Sequence, residues 1–272
     1  LRSTQPRAFA PEELNRRLAS AVSDLHFAPT QEARQHLLDE GIPDDHVVLA
    51  GNTVIDAMRL IGSRQTFDAG LLNVLPWPKR RVVLVTMHHR ESLGDPLRGV
   101  CQALIELVAM HADVHVVMPV HPNPRVRGVV TGMLSGIPRI DLMEPLSYGD
   151  LLEVMQRAQF VMTDSGAVQE ECAASLKPVL ILGKSTERPE VIACGVGKLV
   201  GTDTNAVVTH ATRLLDDARE LARMCEGENP YGYGLASVRV VQTLLRRAPR
   251  QAGGAPVAEG PALLPPSYAV EP

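Results

Sequence analysis

Aromatic side chains are scarce in this sequence: four Phe, four Tyr and one Trp among 272 residues. Proteins that bind single-stranded nucleic acid stack bases on such rings, so that class is disfavoured. Positive charge is not in surplus either. Lys and Arg number 27 against 31 Asp and Glu, a net charge of −4 at pH 7, and no long basic run is available to neutralise phosphates. Cysteine is sparse, and Cys101, Cys172, Cys194 and Cys225 form no C-x-x-C pair. They read as reduced thiols of a cytoplasmic protein, mostly filling core. No apolar stretch approaches the ~18 residues of a membrane span, and no signal peptide opens the chain. Several nucleotide and hydrolase signatures are missing as well. Gly183-Lys184-Ser185 resembles the end of a Walker A loop, but Pro178 stands where its first glycine belongs. There is no G-x-G-x-x-G after a strand, no H-E-x-x-H and no G-x-S-x-G.

What is present is a regular alternation of short β-branched runs with helical stretches, the pattern of a parallel sheet covered by helices. Strands are expected at Leu25–Ala28, Val47–Ala50, Val82–Thr86, Val114–Met118, Phe160–Thr163 and Val179–Leu182. Their nearly continuous hydrophobicity suits strands buried on both faces. Helices are expected at Thr30–Glu40, closed by Gly41, and at Pro96–His111, where Leu97, Val100, Cys101, Leu104 and Leu107 mark one buried face. The length allows one large domain or two. Composition shifts near 68–80, around Pro76-Trp77-Pro78, and again at Pro249, where a tail rich in Pro, Gly and Ala begins. The expected division is 1–66, a connection over 67–78, a second section over 79–226, a helical return over 227–247, and a disordered tail from 248 to 272.

Polar clusters follow the expected strands. Phe160–Thr163 runs into Asp164-Ser165-Gly166 and then a helix, whose first N–H groups and dipole favour an anion. Gly166 lets that anion approach, Ser165 adds a hydroxyl, and Glu171 lies about 9 Å further along the axis at roughly 1.5 Å per residue. A carboxylate there suits ribose hydroxyls while the helix start holds a diphosphate. An ordinary N-cap and a solvated glutamate suit the same residues equally. After Val179–Leu182 comes Thr186-Glu187-Arg188-Pro189-Glu190, in which Arg188 can contact phosphate or join a surface ion-pair cluster. After Val82–Thr86 come Met87, His88, His89, Arg90 and Glu91, and after Val114–Met118 comes His121. Each histidine alone suits a structural role, and neighbouring residues on a loop rarely share one metal ion. Together they suggest one cleft.

These stretches resemble the non-hydrolysing UDP-N-acetylglucosamine 2-epimerase family. The resemblance rests on LHFAPT (25–30), GNTVIDA (51–57), VTMHHRESLG (85–94), PVHPNP (119–124), TDSGAVQEE (163–171), KPVLIL (177–182), TERPE (186–190), LVGTD (199–203) and NPYGYG (229–234), in the family's order. It implies an α/β fold of two facing Rossmann-like domains of the glycosyltransferase-B type, the first incomplete here. Leu1-Arg2 resembles the end of the family's E-A-G-L-R segment, which places the missing part upstream. The family's P-E-E-x-N-R motif falls on Pro11–Arg16, so Glu12 is the matched catalytic carboxylate; two others would lie upstream. His88, the second catalytic candidate beside Glu12, matches a histidine at the diphosphate, Ser165, Gly166 and Ala167 the phosphate loop, Glu171 the ribose contact, and Arg188 the arginine of T-E-R-P-E. Leu146 and Leu151 fall in the family's uracil loop, and His121 matches a histidine near a regulatory substrate site.

Three residues depart from the family's pattern: Ala167 replaces a glycine, His89 an arginine, and Met87 a smaller residue. The implied reaction inverts C2 of UDP-N-acetylglucosamine, giving the N-acetylmannosamine form, by eliminating UDP and adding it back, with carboxylates as acid and base and without cofactor or metal. The implied partners are a UDP-sugar and a second copy in a homodimer, not nucleic acid or membrane. With one of three carboxylates, the 272 residues are expected to bind UDP and turn over little. Rival readings are a hydrolysing epimerase, a glycosyltransferase of the same architecture, or a UDP-sugar-binding protein without turnover.

Overall fold

A computed structural model describes residues 10–64, 75–77, 79–89 and 92–247, with the side chains of 10–13, 63 and 64 outside that set. The tail expected over 248–272 and most of the 67–78 connection lie outside the described residues. The chain opens with α1 (Ala10–Val22), followed by β1 (His26–Ala28), α2 (Gln31–Asp39), β2 (Val47–Leu49) and α3 (Thr53–Arg64). β1 and β2 pair in parallel as a two-stranded sheet. Ala28, Ala33 and Val47 bury between this sheet and α2, whose first turn is capped by the Thr30 hydroxyl accepting from Ala33 N–H at 3.1 Å.

The larger body is a six-stranded parallel sheet built from β3 (Arg81–Thr86), β4 (Val114–Pro119), β5 (Ile140–Met143), β6 (Phe160–Thr163), β7 (Val179–Ile181) and β8 (Gly197–Leu199). Its spatial order is β5-β4-β3-β6-β7-β8. Two of these strands, β5 and β8, are absent from the sequence-based expectation, and both are edges. Only Ile140 of β5 is buried, and β8 is Gly-Lys-Leu. An edge strand buries fewer side chains, so its hydrophobic signal fades. The four inner strands were all legible because both of their faces are covered.

Helices cover both faces. On one side α4 (Asp95–Met110), α5 (Pro124–Leu134) and α9 (Thr204–Asp216) close a core with Val83, Val85, Val116 and Met162. On the other, α6 (Tyr148–Arg157), α7 (Gly166–Ala174) and α8 (Pro189–Ala193) close a second core around Leu84, Val117, Val161 and Ile181. Ile55 of α3 and Tyr231 also bury in that second core. After α10 (Ala218–Met224), the 229–234 loop leads to α11 (Ala236–Arg247).

α11 returns to α3 through polar ties. The Asp56 carboxylate accepts the N–H groups of Ala236 and Ser237 at 3.1 and 2.9 Å, and Arg239 Nη1 donates to Ala50 O at 3.0 Å. The apolar spacing of Val241, Leu244 and Leu245 that marks this segment as helical lies on an exposed face. Gly51 sits beneath the Tyr231 carbonyl at φ +89, where an added Cβ would meet that oxygen at 3.1 Å. Glycine alone combines this left-handed backbone with so close an approach.

Candidate functional site

The chain runs outward from β3 through β4 to β5, then crosses back to β6 and runs outward the other way. The switch point therefore lies between the carboxyl ends of β3 and β6, where α/β sheets open a crevice for ligands. Thr86 and Thr163 end these strands, and their hydroxyls meet at 2.6 Å. Thr163 Oγ1 also accepts the Ser165 N–H at 2.9 Å, shaping the turn into α7. Ser165 is the N-cap, its hydroxyl 3.5 Å from Val168 N. The first N–H groups of α7 lie at the crevice, and a helix start of this kind favours negative charge.

Asp164 closes the turn from inside. Its carboxylate, 3% exposed, accepts the backbone N–H groups of His88 at 3.1 Å and His89 at 3.0 Å. This bond clamps the loop after β3 to the loop after β6. The His88 ring lies 5.7 Å from the His121 ring in a stacked arrangement and 5.1 Å from that of His89. Burial holds the His88 imidazole below its ordinary range; Asp164 opposes this, while His89 and His121 reinforce it. His88 is thus disposed toward the neutral form, able to donate one hydrogen bond. Among the described residues no group of three His, Cys, Asp or Glu is arranged to hold a metal.

Arg188 reaches the same turn from the loop after β7. A methyl group on Gly166 would lie 3.4 Å from both Cζ and Nη2 of Arg188. The guanidinium is oriented through Nε, which donates to Glu170, and its side chain is only 17% exposed. Thr186 fixes the loop itself, accepting the Arg188 N–H at 3.0 Å and donating to Gln169 Oε1 at 2.6 Å. A cavity of about 310 Å³ adjoins this cluster, lined by His89, Ser92, Asp164, Gly166, Lys184 and Thr186 among others.

Glu171 lies one residue past Glu170, roughly 100° around the helix, and is buried near Tyr148 of α6. Burial pushes its carboxyl up to about 7, with the Tyr148 hydroxyl opposing and Glu170 adding repulsion. The Tyr148 hydroxyl lies near enough to act on that carboxyl, yet neither it nor Glu171 Oε2 has a well-formed hydrogen bond among the described residues, and both are buried. An orphaned carboxylate oxygen of this kind suits a donor such as a sugar hydroxyl. Leu146 precedes α6 and Leu151 lies within it, both half-buried beside Tyr148 in the second core.

The structure therefore assembles His88, His121, Ser165, Gly166 and Arg188 at one switch point, with Glu171 further along α7. Ala167 follows Gly166 in the first turn of α7. Glu12 falls in α1, its side chain outside the described residues. Residues given no individual role in the sequence reading are Asp164, Tyr148, Glu170 and Asn52, although the last two stand inside QEE and GNTVIDA. Paired carboxylates on consecutive helical positions point in different directions, so the doubling in QEE was a signal that two partners were needed.

This fold is that of an α/β protein of the glycosyltransferase-B type, with Ser165, Gly166 and Arg188 gathered at the switch point of its large sheet. Residues 1–245 match the family model described as UDP-N-acetylglucosamine 2-epimerase. The chain belongs to that family. A probable UDP-N-acetylglucosamine 2-epimerase of Ralstonia nicotianae is 44% identical over 240 residues, covering 86% of this chain and 64% of the relative. The UDP-N-acetylglucosamine 2-epimerase of Salmonella typhimurium is 41% identical over 240 residues, with the same coverage. Among solved structures, the Neisseria meningitidis enzyme bound to UDP-GlcNAc has a TM-score of 0.85 at 37% identity, covering 90% of this chain and 68% of that one. S. aureus MnaA with UDP has a TM-score of 0.85 at 39% identity, covering 90% and 65%. The chain thus spans about 64% of the curated relatives' length. No helix among the described residues is long and apolar enough to cross a membrane.

Proposed function

We propose that this chain binds UDP-N-acetylglucosamine and serves its interconversion with UDP-N-acetylmannosamine. The observation that carries the reading is the Arg188 guanidinium held against Gly166 at the open N-terminus of α7. A cation and free backbone N–H groups converging on one point suit a diphosphate. The ligands of the solved relatives, UDP-GlcNAc and UDP, agree with that chemistry. Uracil then lies toward Leu146 and Leu151, ribose toward Glu171, and the diphosphate at Ser165, Gly166, Ala167, His88 and Arg188.

In the proposed reaction the proton leaves C2 as the C1–O bond to UDP breaks, leaving a glycal and free UDP. UDP oxygen then re-forms the bond to C1 while C2 takes a proton on its opposite face. The cradle stabilises the diphosphate charge that grows as UDP departs. Neutral His88 can donate to the bridging region, and Glu12 is proposed as an acid–base carboxylate of the reaction. His121, stacked on His88, is proposed for a regulatory substrate site beside it. The domain division at 1–66 and 79–226, a cytoplasmic location and a homodimer belong to this reading. Light scattering tests the last.

Calorimetric titration tests the binding. UDP should bind the wild-type chain more tightly than uridine, and Arg188→Ala should weaken UDP by about ten- to a hundredfold, the loss of roughly 1.5–3 kcal/mol for a charge-assisted contact. Equal affinities for UDP in the two proteins would remove Arg188 from the site. Proton NMR in deuterium oxide tests turnover through deuterium at C2 of both epimers.

A further inference from the structure

We propose that Glu170 is a positioning residue for the diphosphate site, fixing the Arg188 guanidinium over the first turn of α7, and that Asn52 in turn fixes Glu170 from the loop between β2 and α3. The proposal rests on the UDP-binding reading above.

Glu170 points away from Glu171 and divides its carboxylate between two donors. Oε1 takes Arg188 Nε, and Oε2 takes Asn52 Nδ2 at 2.8 Å. The pair is well shielded, with side chains 17% and 13% exposed. A carboxylate bound at the Nε edge leaves the two terminal nitrogens of the guanidinium for other work. Nη1 donates to the Glu187 carbonyl at 3.3 Å and lies 3.5 Å from the Glu187 carboxylate, so Nη2, 3.4 Å from where a Gly166 methyl would be, is the nitrogen turned to α7. The fork is thereby aimed at the free N–H groups of α7. An unpinned arginine would lose rotamer entropy on grasping a phosphate. Glu170 removes much of that loss in advance.

Asn52 is itself held. Its N–H donates to the Tyr231 carbonyl at 2.9 Å, and its Oδ1 accepts the Val54 N–H at 3.0 Å. With Oδ1 committed to Val54, the amide must present Nδ2 to Glu170; the reverse orientation would set an oxygen against a carboxylate. The link spans 118 residues of chain. It ties the arginine of the nucleotide site to the loop that begins α3, so nucleotide binding and the seating of that loop favour one another reciprocally.

The test is UDP titration of the full chain as wild type, Asn52→Ala, Glu170→Gln, Arg188→Ala and Asn52→Ala/Arg188→Ala, with urea midpoints measured in parallel. Asn52→Ala should weaken UDP by about tenfold, the effect of one hydrogen bond to a charged group. In the Arg188→Ala background the same change should have no further effect, because Asn52 acts only through that arginine. Glu170→Gln should weaken UDP at least as much as Asn52→Ala. Should Glu170→Gln fail to fold, the Asn52 cycle carries the test alone. If wild type binds UDP and Asn52→Ala is unaffected, or if it weakens both backgrounds equally, the positioning role is wrong. A wild-type chain that ignores UDP overturns the nucleotide reading, and the inference with it.

Discussion

The Asp164 carboxylate holds the His88 peptide nitrogen at 3.1 Å by one oxygen and 3.2 Å by the other, while the His88 ring Nδ1 lies 3.7 Å away. One buried side chain therefore sets both the position of the loop after β3 and the field at its histidine. Asp164→Ala should destabilise the chain by about 1–3 kcal/mol through the loss of charge-assisted bonds to two backbone N–H groups. Asp164→Asn keeps an acceptor but removes the charge that opposes burial, so the His88 pKa should fall further. Urea unfolding measures the first effect, and NMR titration of the ring protons the second.

Glu171 gives the unliganded protein a particular dependence on pH. Its carboxyl is raised to about 7 by burial, whereas an unfolded glutamate titrates near 4.3. Between these values the folded chain holds a proton that the unfolded chain has released. The contribution to stability is complete below the unfolded pKa and is lost as pH rises through 7. Glu171→Gln should abolish this loss, leaving the variant roughly 2–4 kcal/mol more stable than wild type at pH 8, at about 1.4 kcal/mol per pH step. The same variant should bind UDP more weakly, since an amide offers one acceptor where the carboxylate offers two. Unfolding curves from pH 4 to pH 8 decide the first point; unchanged relative stability across that range would contradict it.

Gly166→Ala separates stability from binding. An alanine in the first turn of α7 should leave stability unchanged or raise it by up to about 1 kcal/mol, the helical preference over glycine. Its methyl would lie 3.4 Å from the Arg188 guanidinium, in the space proposed for the phosphate. UDP affinity should fall at least tenfold while the melting temperature holds or rises. A variant that binds UDP as wild type does would place the diphosphate elsewhere.

The division near residue 66 is tested by expression of the parts. Among the described residues the two-stranded sheet buries Ala28, Ala33 and Val47 as its own core, with Leu37, Leu38 and Ile42 partly buried against them, and sheets of two strands are marginal alone. Residues 1–66 by themselves should show no cooperative melt. In the full chain, Ile55→Ala should cost about 2–4 kcal/mol, because Ile55 packs in the second core of the large sheet. A sharp transition in the isolated segment would refute the division.

How far the sequence disclosed this arrangement follows from burial. Val82–Thr86 and Phe160–Thr163 were legible because both faces of their strands are covered, which writes a continuous apolar run. Ile140–Met143 was not, since three of its four residues are only partly buried. At the site, the turn at Asp164-Ser165-Gly166 announced itself through cap and glycine chemistry. The roles of Glu170 and Asn52 did not, because their partners lie 18 and 118 positions apart in the chain. Local spacing reports a helix face; it does not report which distant side chain meets that face.

The attachment of α11 bears on the order in which the molecule assembles. Asp56 caps that helix across a separation of 180 residues, so the bond has no template until the six intervening strands have found their places. Contacts closing loops of such length arrive late in folding. Because α11 keeps Val241, Leu244 and Leu245 in solvent, little apolar burial resists its detachment. Its amides should therefore exchange with solvent through a local opening, well before those of Val83 or Val161 deep in the sheet. α11 is a latch that closes last and lifts first.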